Sequence, residues 1–555
     1  MNTKNKNNAL VFLDNLCILS IFPLLKACLR LRPASIYYFQ ASTTGLKIAA
    51  WFKTLTLISR DPIKVENIIF SDTEDCVFSI SMYESVKICL KYQDKINNTV
   101  DKCLPKYDDY FRQVCAVGVR KEWQVWLEKL LLQLNLAKVL GRENNVPIKD
   151  IILISQFASL LKILKVEPEI SGNIKIFPQP FENKSCLYLW GPVAYYIGQV
   201  ILSLLRLLNN FKKEMPIAKK RRPVVGVTAT WGLGLEESEK RLGDDFFWWR
   251  RSKISSEQLI CMFDKKSFQP TRDRLAGLEK LGIQSIVLDP KYPGDLTRSE
   301  VTYQRLSLIE NFKKCIFYSK LAWNGLFAEQ FNRSAYSLVG WQIYKSEKLI
   351  PLYKSVNLKA VTHIHEPGLE FINLAALQND AVRFGTHWSC FSAPNSSTSK
   401  CHEIYFVWGI HDLKIVLDSG STSKNILVSG CIMTEQSHEN EFRKGSEALQ
   451  SMKNSGAQYT LTLLDNSLPL PNFYRFFLQW LVEDPALGLL IKSKGPLWKN
   501  IQNDGLGGLV EQAIATGRLY EMDRAASPGD AALLTDFAVG ITSLSAISSA
   551  ALKGA

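Results

Sequence analysis

The chain has 555 residues, 46% hydrophobic and 22% charged, which allows several cored domains and excludes global disorder. Its net charge of +14 points to a polyanion or an anionic membrane face as partner. The basic residues are dispersed, however, with no zinc-finger, RNP-like or basic-zipper pattern, which argues against nucleic acid. The 12 cysteines include no C-x-x-C pair and read as reduced, buried thiols of the cytoplasm.

Taken in order, Met1 to Asn8 is polar and basic, and the apolar run behind it carries Asp14 and Lys26, so no secretion signal is expected. Ile36 to Phe39 reads as a strand, Gly45 to Leu57 as a helix with an apolar face, and Lys64 to Ser79 as two further strand-like runs. Tyr107 to Leu140 has helical periodicity, with Trp123 and Trp126 on one face. Residues 1–142 are expected to form an N-terminal α/β region, and 143–222 a helical connector. Within the connector, Val146 to Gly172 reads as continued helix and Ile176 to Lys184 as a loop.

Leu187 to Leu205 is uncharged and about as long as a bilayer span requires, and a run from Arg206 to Arg222 rich in Lys and Arg follows it. Gly191-Pro192, Tyr195, Tyr196, Gln199 and Ser203 dilute its hydrophobicity. An interfacial, membrane-docking helix fits best; a buried core helix and a full span are the alternatives.

From Pro223 strands and helices alternate. Val224 to Thr230, Gln258 to Phe263, Ile283 to Leu288, Leu358 to His363, Ala381 to Gly385, Glu403 to Trp408 and Asn425 to Ser429 read as strands. Arg272 to Leu281 and much of Val301 to Lys348 read as helix. Residues 223–435 form one expected Rossmann-like domain. Residues 436–555 form a second, with strands at Tyr459 to Leu464, Leu487 to Ile491 and Asp536 to Ile541, and helices at Asn472 to Val482 and Leu509 to Leu519. The chain stops in what reads as mid-helix, as expected of a piece of a longer protein.

In parallel sheets ligands sit outside the carboxyl ends of the strands. Lys492 and Lys494 follow one such strand, and Thr542, Ser543 and Ser545 open a helix after another; both suit a phosphate. Solvated lysines and plain helix capping account equally well for those residues taken singly. Candidate proton acceptors are Asp244, Asp245, Glu366, His365 and His387. All six histidines fall between His363 and His438, without metal-ligand spacing. Gly232-Leu-Gly234 lacks the third glycine of a dinucleotide fingerprint, and no Walker A, G-x-S-x-G or kinase motif occurs, so no cofactor and no metal is expected.

Two tandem Rossmann-like halves with GDDFFWWRRSKI (Gly243 to Ile254), HEPG (His365 to Gly368) and RFGTHWS (Arg383 to Ser389) resemble the GT-B glycosyltransferases of bacterial surface-polysaccharide biosynthesis. The resemblance covers Pro223 to Ala555. It implies a nucleotide-sugar donor in the second half, at Lys492, Lys494, Thr542, Ser543 and Ser545, and a glycan or lipid-linked acceptor in the first. It also implies work at the inner face of the cell membrane, peripherally associated with its anionic surface. Such enzymes commonly hold the ribose with a Glu in the helix after the last of these strands; here that stretch is SLSAISSAAL, with no acid. Two other readings are a polyol-phosphate transferase of the teichoic-acid kind, with a histidine as base, and a non-catalytic scaffold of a polysaccharide assembly complex.

Overall fold

The computed structural model describes residues 9–31, 33, 35–58, 63–67, 77–164, 173–178, 184–208, 222–229, 245–246, 248–249, 252–263, 271–287, 307–363, 370–387, 391, 393–430, 439–464, 471–493, 505–522, 526, 528–540 and 547. They make a mixed α/β protein with three sheets, every paired strand parallel to its neighbour.

The first sheet is built from β1 (Leu10–Leu16), α1 (Ile21–Leu31), β2 (Ser35–Ala41), α2 (Thr43–Ile58) and β3 (Lys64–Asn67). Three helices follow, α3 (Val77–Lys91), α4 (Gln93–Cys103) and α5 (Asp109–Glu143), then β4 (Ile151–Ser155), α6 (Ala158–Ile163) and β5 (Lys175–Pro178). The strand order is β3-β2-β1-β4-β5. Successive side chains of a strand face opposite ways. Leu10 and Phe12 of β1 therefore join one core with Ile151 and Leu153 of β4, while Val11 and Leu13 join another with Ile152 and Ile154. A strand buried on both faces loses its polar alternation, which is why 151–155 reads as helix in the sequence.

That is a correction to the expected helical connector. Residues 151–155 and 175–178 are strands of the first sheet, which draws on residues beyond 142. Of the second strand-like run expected in 64–79, residues 68–76 lie outside the described residues, and Val77 to Ser79 open α3.

After α7 (Lys184–Leu208), the second unit comprises β6 (Val224–Ala229), β7 (Leu259–Phe263), α8 (Arg272–Lys280), β8 (Gln284–Val287), α9 (Leu308–Phe327), α10 (Gln330–Ser355) and β9 (Leu358–His363). It continues through α11 (Glu370–Leu377), β10 (Val382–Thr386), β11 (Ile404–Val407), α12 (Ile410–Asp418) and β12 (Asn425–Val428). Its seven strands run β12-β11-β10-β9-β6-β7-β8. The order reverses between β6 and β9. A capping box of Ser307 and Glu310 starts α9, and Asp108 caps α5 by accepting the Phe111 N–H at 2.8 Å.

The third unit runs α13 (Glu439–Asn454), β13 (Tyr459–Leu464), α14 (Pro471–Glu483), β14 (Leu487–Lys492), α15 (Gly507–Ala515), β15 (Leu519–Met522), α16 (Pro528–Leu533) and β16 (Phe537–Gly540). Its order is β15-β14-β13-β16, with the reversal between β13 and β16. The helix expected over 509–519 ends sooner. Gly517, at φ +68, turns the chain into β15, which the sequence reading missed.

Candidate active site

Where strand order reverses, the loops leaving two neighbouring strands diverge to opposite faces and open a crevice at their carboxyl ends. Three such places exist here: β1/β4, β6/β9 and β13/β16.

At the first, Asp14 lies in β1 and is buried. Its Oδ2 accepts from the Gln156 N–H at 2.8 Å and the Ser155 hydroxyl at 3.2 Å, while Oδ1 has no hydrogen-bond partner among the described residues. Burial pushes this carboxyl above its ordinary value, and hydrogen bonds from Gln156, Ser155 and Asn15 pull the other way. An acid inside the apolar run Leu10 to Leu16 was the available signal; the sequence reading used it only to reject a secretion signal.

At the second, β6 leads towards Trp231-Gly-Leu-Gly234 and β9 ends at His363, directly before Ile364-His365-Glu366-Pro367-Gly368. His365 and Glu366 lie outside the described residues, as does Asp244. Asp245 is described and only 1% exposed. It sits in a turn where its own carbonyl accepts the Trp248 indole N–H at 3.1 Å, and its charge adds to the burial that raises the Cys261 thiol.

His387 follows β10 and is also closed off, at 1% exposure. Its ring stacks on Phe391 and Trp408 at centroid distances of 4.3 and 4.7 Å. Its Nε2 accepts the Trp408 backbone N–H at 3.0 Å, and Asp412 stands 4.0 Å away, itself accepting from the Phe391 N–H at 3.1 Å. A nitrogen already engaged as an acceptor is not offering its lone pair to a substrate proton. In this structure His387 therefore ties the β10 exit to the loop after β11.

The loop between β10 and β11 is clamped from the first unit. Glu128 of α5 accepts from the Ser396 N–H at 2.7 Å and its hydroxyl at 2.9 Å; Tyr110 donates to the His402 carbonyl at 2.9 Å. Arg120, fully buried, donates to the Ser399 hydroxyl and to the Ser419 and Gly420 carbonyls. Desolvation lowers this guanidinium to about 10.

At the third, Lys492 is the last residue of β14, opposite Leu464 of β13 and Met522 of β15. It is buried, and its ammonium donates to the Ser493 carbonyl at 3.0 Å. Lys494, Thr542, Ser543 and Ser545 lie outside the described residues; β16 stops at Gly540, two positions before Thr542. Among the described residues no group of three or more His, Cys, Asp or Glu is arranged to hold a metal ion.

No family model matches the chain, and no curated protein matches it. Among solved structures it is similar to a glycosyltransferase from Rickettsia africae ESF-5, with 9% identity, a TM-score of 0.33, and 59% of this chain and 81% of that one covered. It is also similar to a Thermobaculum terrenum O-GlcNAc transferase mutant, with 10% identity, a TM-score of 0.27, and 84% and 85% covered.

Proposed function

We propose that the protein transfers a sugar from a nucleotide-sugar donor to a growing, lipid-linked bacterial surface glycan, peripherally at the inner membrane face. The observation that carries the reading is the coincidence of two strand-order reversals with the segments that bear candidate chemistry. IHEPG (Ile364 to Gly368) follows β9 at the β6/β9 reversal, and Thr542, Ser543 and Ser545 follow β16 at the β13/β16 reversal. A parallel sheet offers a diphosphate helix N-termini and backbone N–H groups at that edge.

In this reading Lys494 and the three hydroxyls hold the donor phosphates, with Lys492 supporting the loop through the Ser493 carbonyl. Glu366 or His365 takes the proton of the acceptor hydroxyl. The freed oxygen bonds to the anomeric carbon as the bond from that carbon to the phosphate oxygen breaks, and the lysine charge stabilises the departing nucleotide. Asp245 and His387, both shut away from solvent, shape the crevice walls.

The test is thermal stability of the full chain against UDP, GDP, CDP, CMP and their sugar conjugates. One nucleotide should raise the melting temperature. Lys494→Ala should weaken its binding by about 1–3 kcal/mol, the worth of a charge-assisted phosphate contact. If no nucleotide shifts a folded protein, the transferase reading fails and the scaffold takes its place.

A further inference from the structure

Helix α7 is not a core helix: in its apolar stretch Tyr188–Leu205, 22% is buried, and by length and composition it could cross a membrane. What packs against it is more informative. It lies antiparallel on α9, with Leu189 meeting Gly325 at one end and the Asn311 amide donating to the Ser203 hydroxyl at 3.2 Å near the other. Tyr196 stacks on Tyr318 between them, ring centroids 5.2 Å apart.

The outward face of α9 is as apolar as that of α7. Ile309, Phe312, Ile316, Trp323 and Phe327 share one side of the helix by their spacing, and each is 55–70% exposed. On α7, Ile197, Ile201, Leu204 and Leu205 continue the patch. Soluble monomers rarely leave so many large apolar side chains together in water.

Along the other flank of α9, against the turn between α4 and α5, opens a cavity of about 460 Å³. Lys102, Lys106, Lys313, Lys314 and Lys320 line it, above Tyr107 and Phe317. Only Lys314 makes an ion pair among the described residues, with Glu347. With Lys314 paired, Lys102, Lys106, Lys313 and Lys320 bring uncompensated positive charge to this cavity, which a phosphate placed among them would neutralise. The apolar stripe and the basic cavity meet along one helix, which is the arrangement an anionic lipid presents in reverse: phosphate above, acyl chain below. The sequence behind α7, from Arg206 to Arg222, adds further Lys and Arg.

We propose that the α7–α9 face lies in the surface of an anionic bilayer, with a lipid phosphate seated in the cavity of Lys102, Lys106, Lys313, Lys314 and Lys320. This rests on the membrane part of the function proposed above and is independent of the transfer chemistry.

The experiment is co-sedimentation of the full chain with phosphatidylcholine vesicles, with and without phosphatidylglycerol. The wild type should pellet with the anionic vesicles alone. Lys313→Gln with Lys320→Gln should weaken partitioning about 25-fold, from about fivefold per lysine near an anionic surface. Phe312→Ser with Trp323→Ser, both at exposed positions that the core does not use, should weaken it as well. Three outcomes overturn the proposal: a wild type that stays in the supernatant, a wild type that pellets equally with neutral vesicles, or a lysine variant that pellets like wild type. Soluble glycerol phosphate is the remaining arm. A melting-temperature rise with it that the lysine variant abolishes, without vesicle binding, would overturn docking in favour of a soluble phosphate ester. Nucleotide-induced stabilisation should be unchanged in all these variants. Docking that fails while that stabilisation persists thus leaves the transferase reading standing, and the reverse result removes only the transferase.

Discussion

Replacing Glu347 of α10 with alanine should release helix α7. The carboxylate is 2% exposed and accepts from the Tyr196 hydroxyl of α7 at 2.8 Å and the Tyr318 hydroxyl of α9 at 2.7 Å, both on Oε2; Oε1 pairs with Lys314. Burial and this charge push both phenols well above their ordinary range, so they remain protonated donors wherever the carboxylate is charged. Alanine leaves two buried hydroxyls without an acceptor. Each hydrogen bond to a charged group is worth about 1.5–3 kcal/mol, and breaking a buried charged cluster costs about 3–5 kcal/mol. Glutamine keeps an acceptor oxygen of the same reach and should cost about 1 kcal/mol. The assay is native-state hydrogen exchange over residues 188–205, which reads local opening without requiring the whole chain to unfold in one step. Exchange there should accelerate by about two to three orders of magnitude in Glu347→Ala and by about tenfold or less in Glu347→Gln. An acceleration below about tenfold in the alanine variant would refute the reasoning, since the helix would then be held by its apolar contacts alone.

Two further predictions concern the first sheet. Burial raises the Asp14 carboxyl, so the folded state binds its proton more tightly than the unfolded one. Its contribution to stability is therefore present at low pH and declines as pH rises from the ordinary value of 3.8 through the raised one. Asp14→Asn, which does not ionise, should escape that decline. Its melting temperature relative to wild type should climb as pH rises above 3.8, and a flat difference would show that the carboxyl is not so perturbed. At Gly45, in the first turn of α2, an added Cβ would fall 1.7 Å from the Leu16 carbonyl oxygen at the end of β1. Gly45→Ala should cost about 1–3 kcal/mol in thermal or denaturant unfolding, because the obstacle is backbone and cannot rotate away; an unchanged stability would contradict the close approach.

The local alphabet of the fold was legible in the sequence. Strands such as Val224 to Ala229, Leu259 to Phe263 and Leu487 to Lys492 announce themselves as short, β-branched or leucine-rich runs between turn residues, and α5 by a sustained helical period. The basic balance and the apolar run of α7 were equally plain. All of these depend on neighbours a few residues apart, and that spacing is written in the chain.

What the sequence could not supply is anything settled by contacts between distant segments. Residues 151–155 became an inner strand because β1, whose Asp14 is 141 positions before Ser155, stands ready to pair with it. His387 looked available for catalysis, yet Trp408 and Phe391 fold over it and its Nε2 is taken by a backbone N–H 21 residues away. The lysine cavity is assembled from the α4–α5 turn around 102–107 and the stretch 313–324 of α9, whose charges mean little separately. Composition and periodicity act within one element. Burial, proton affinity and the meeting of like charges depend on which elements the tertiary structure brings side by side, and no local pattern encodes that.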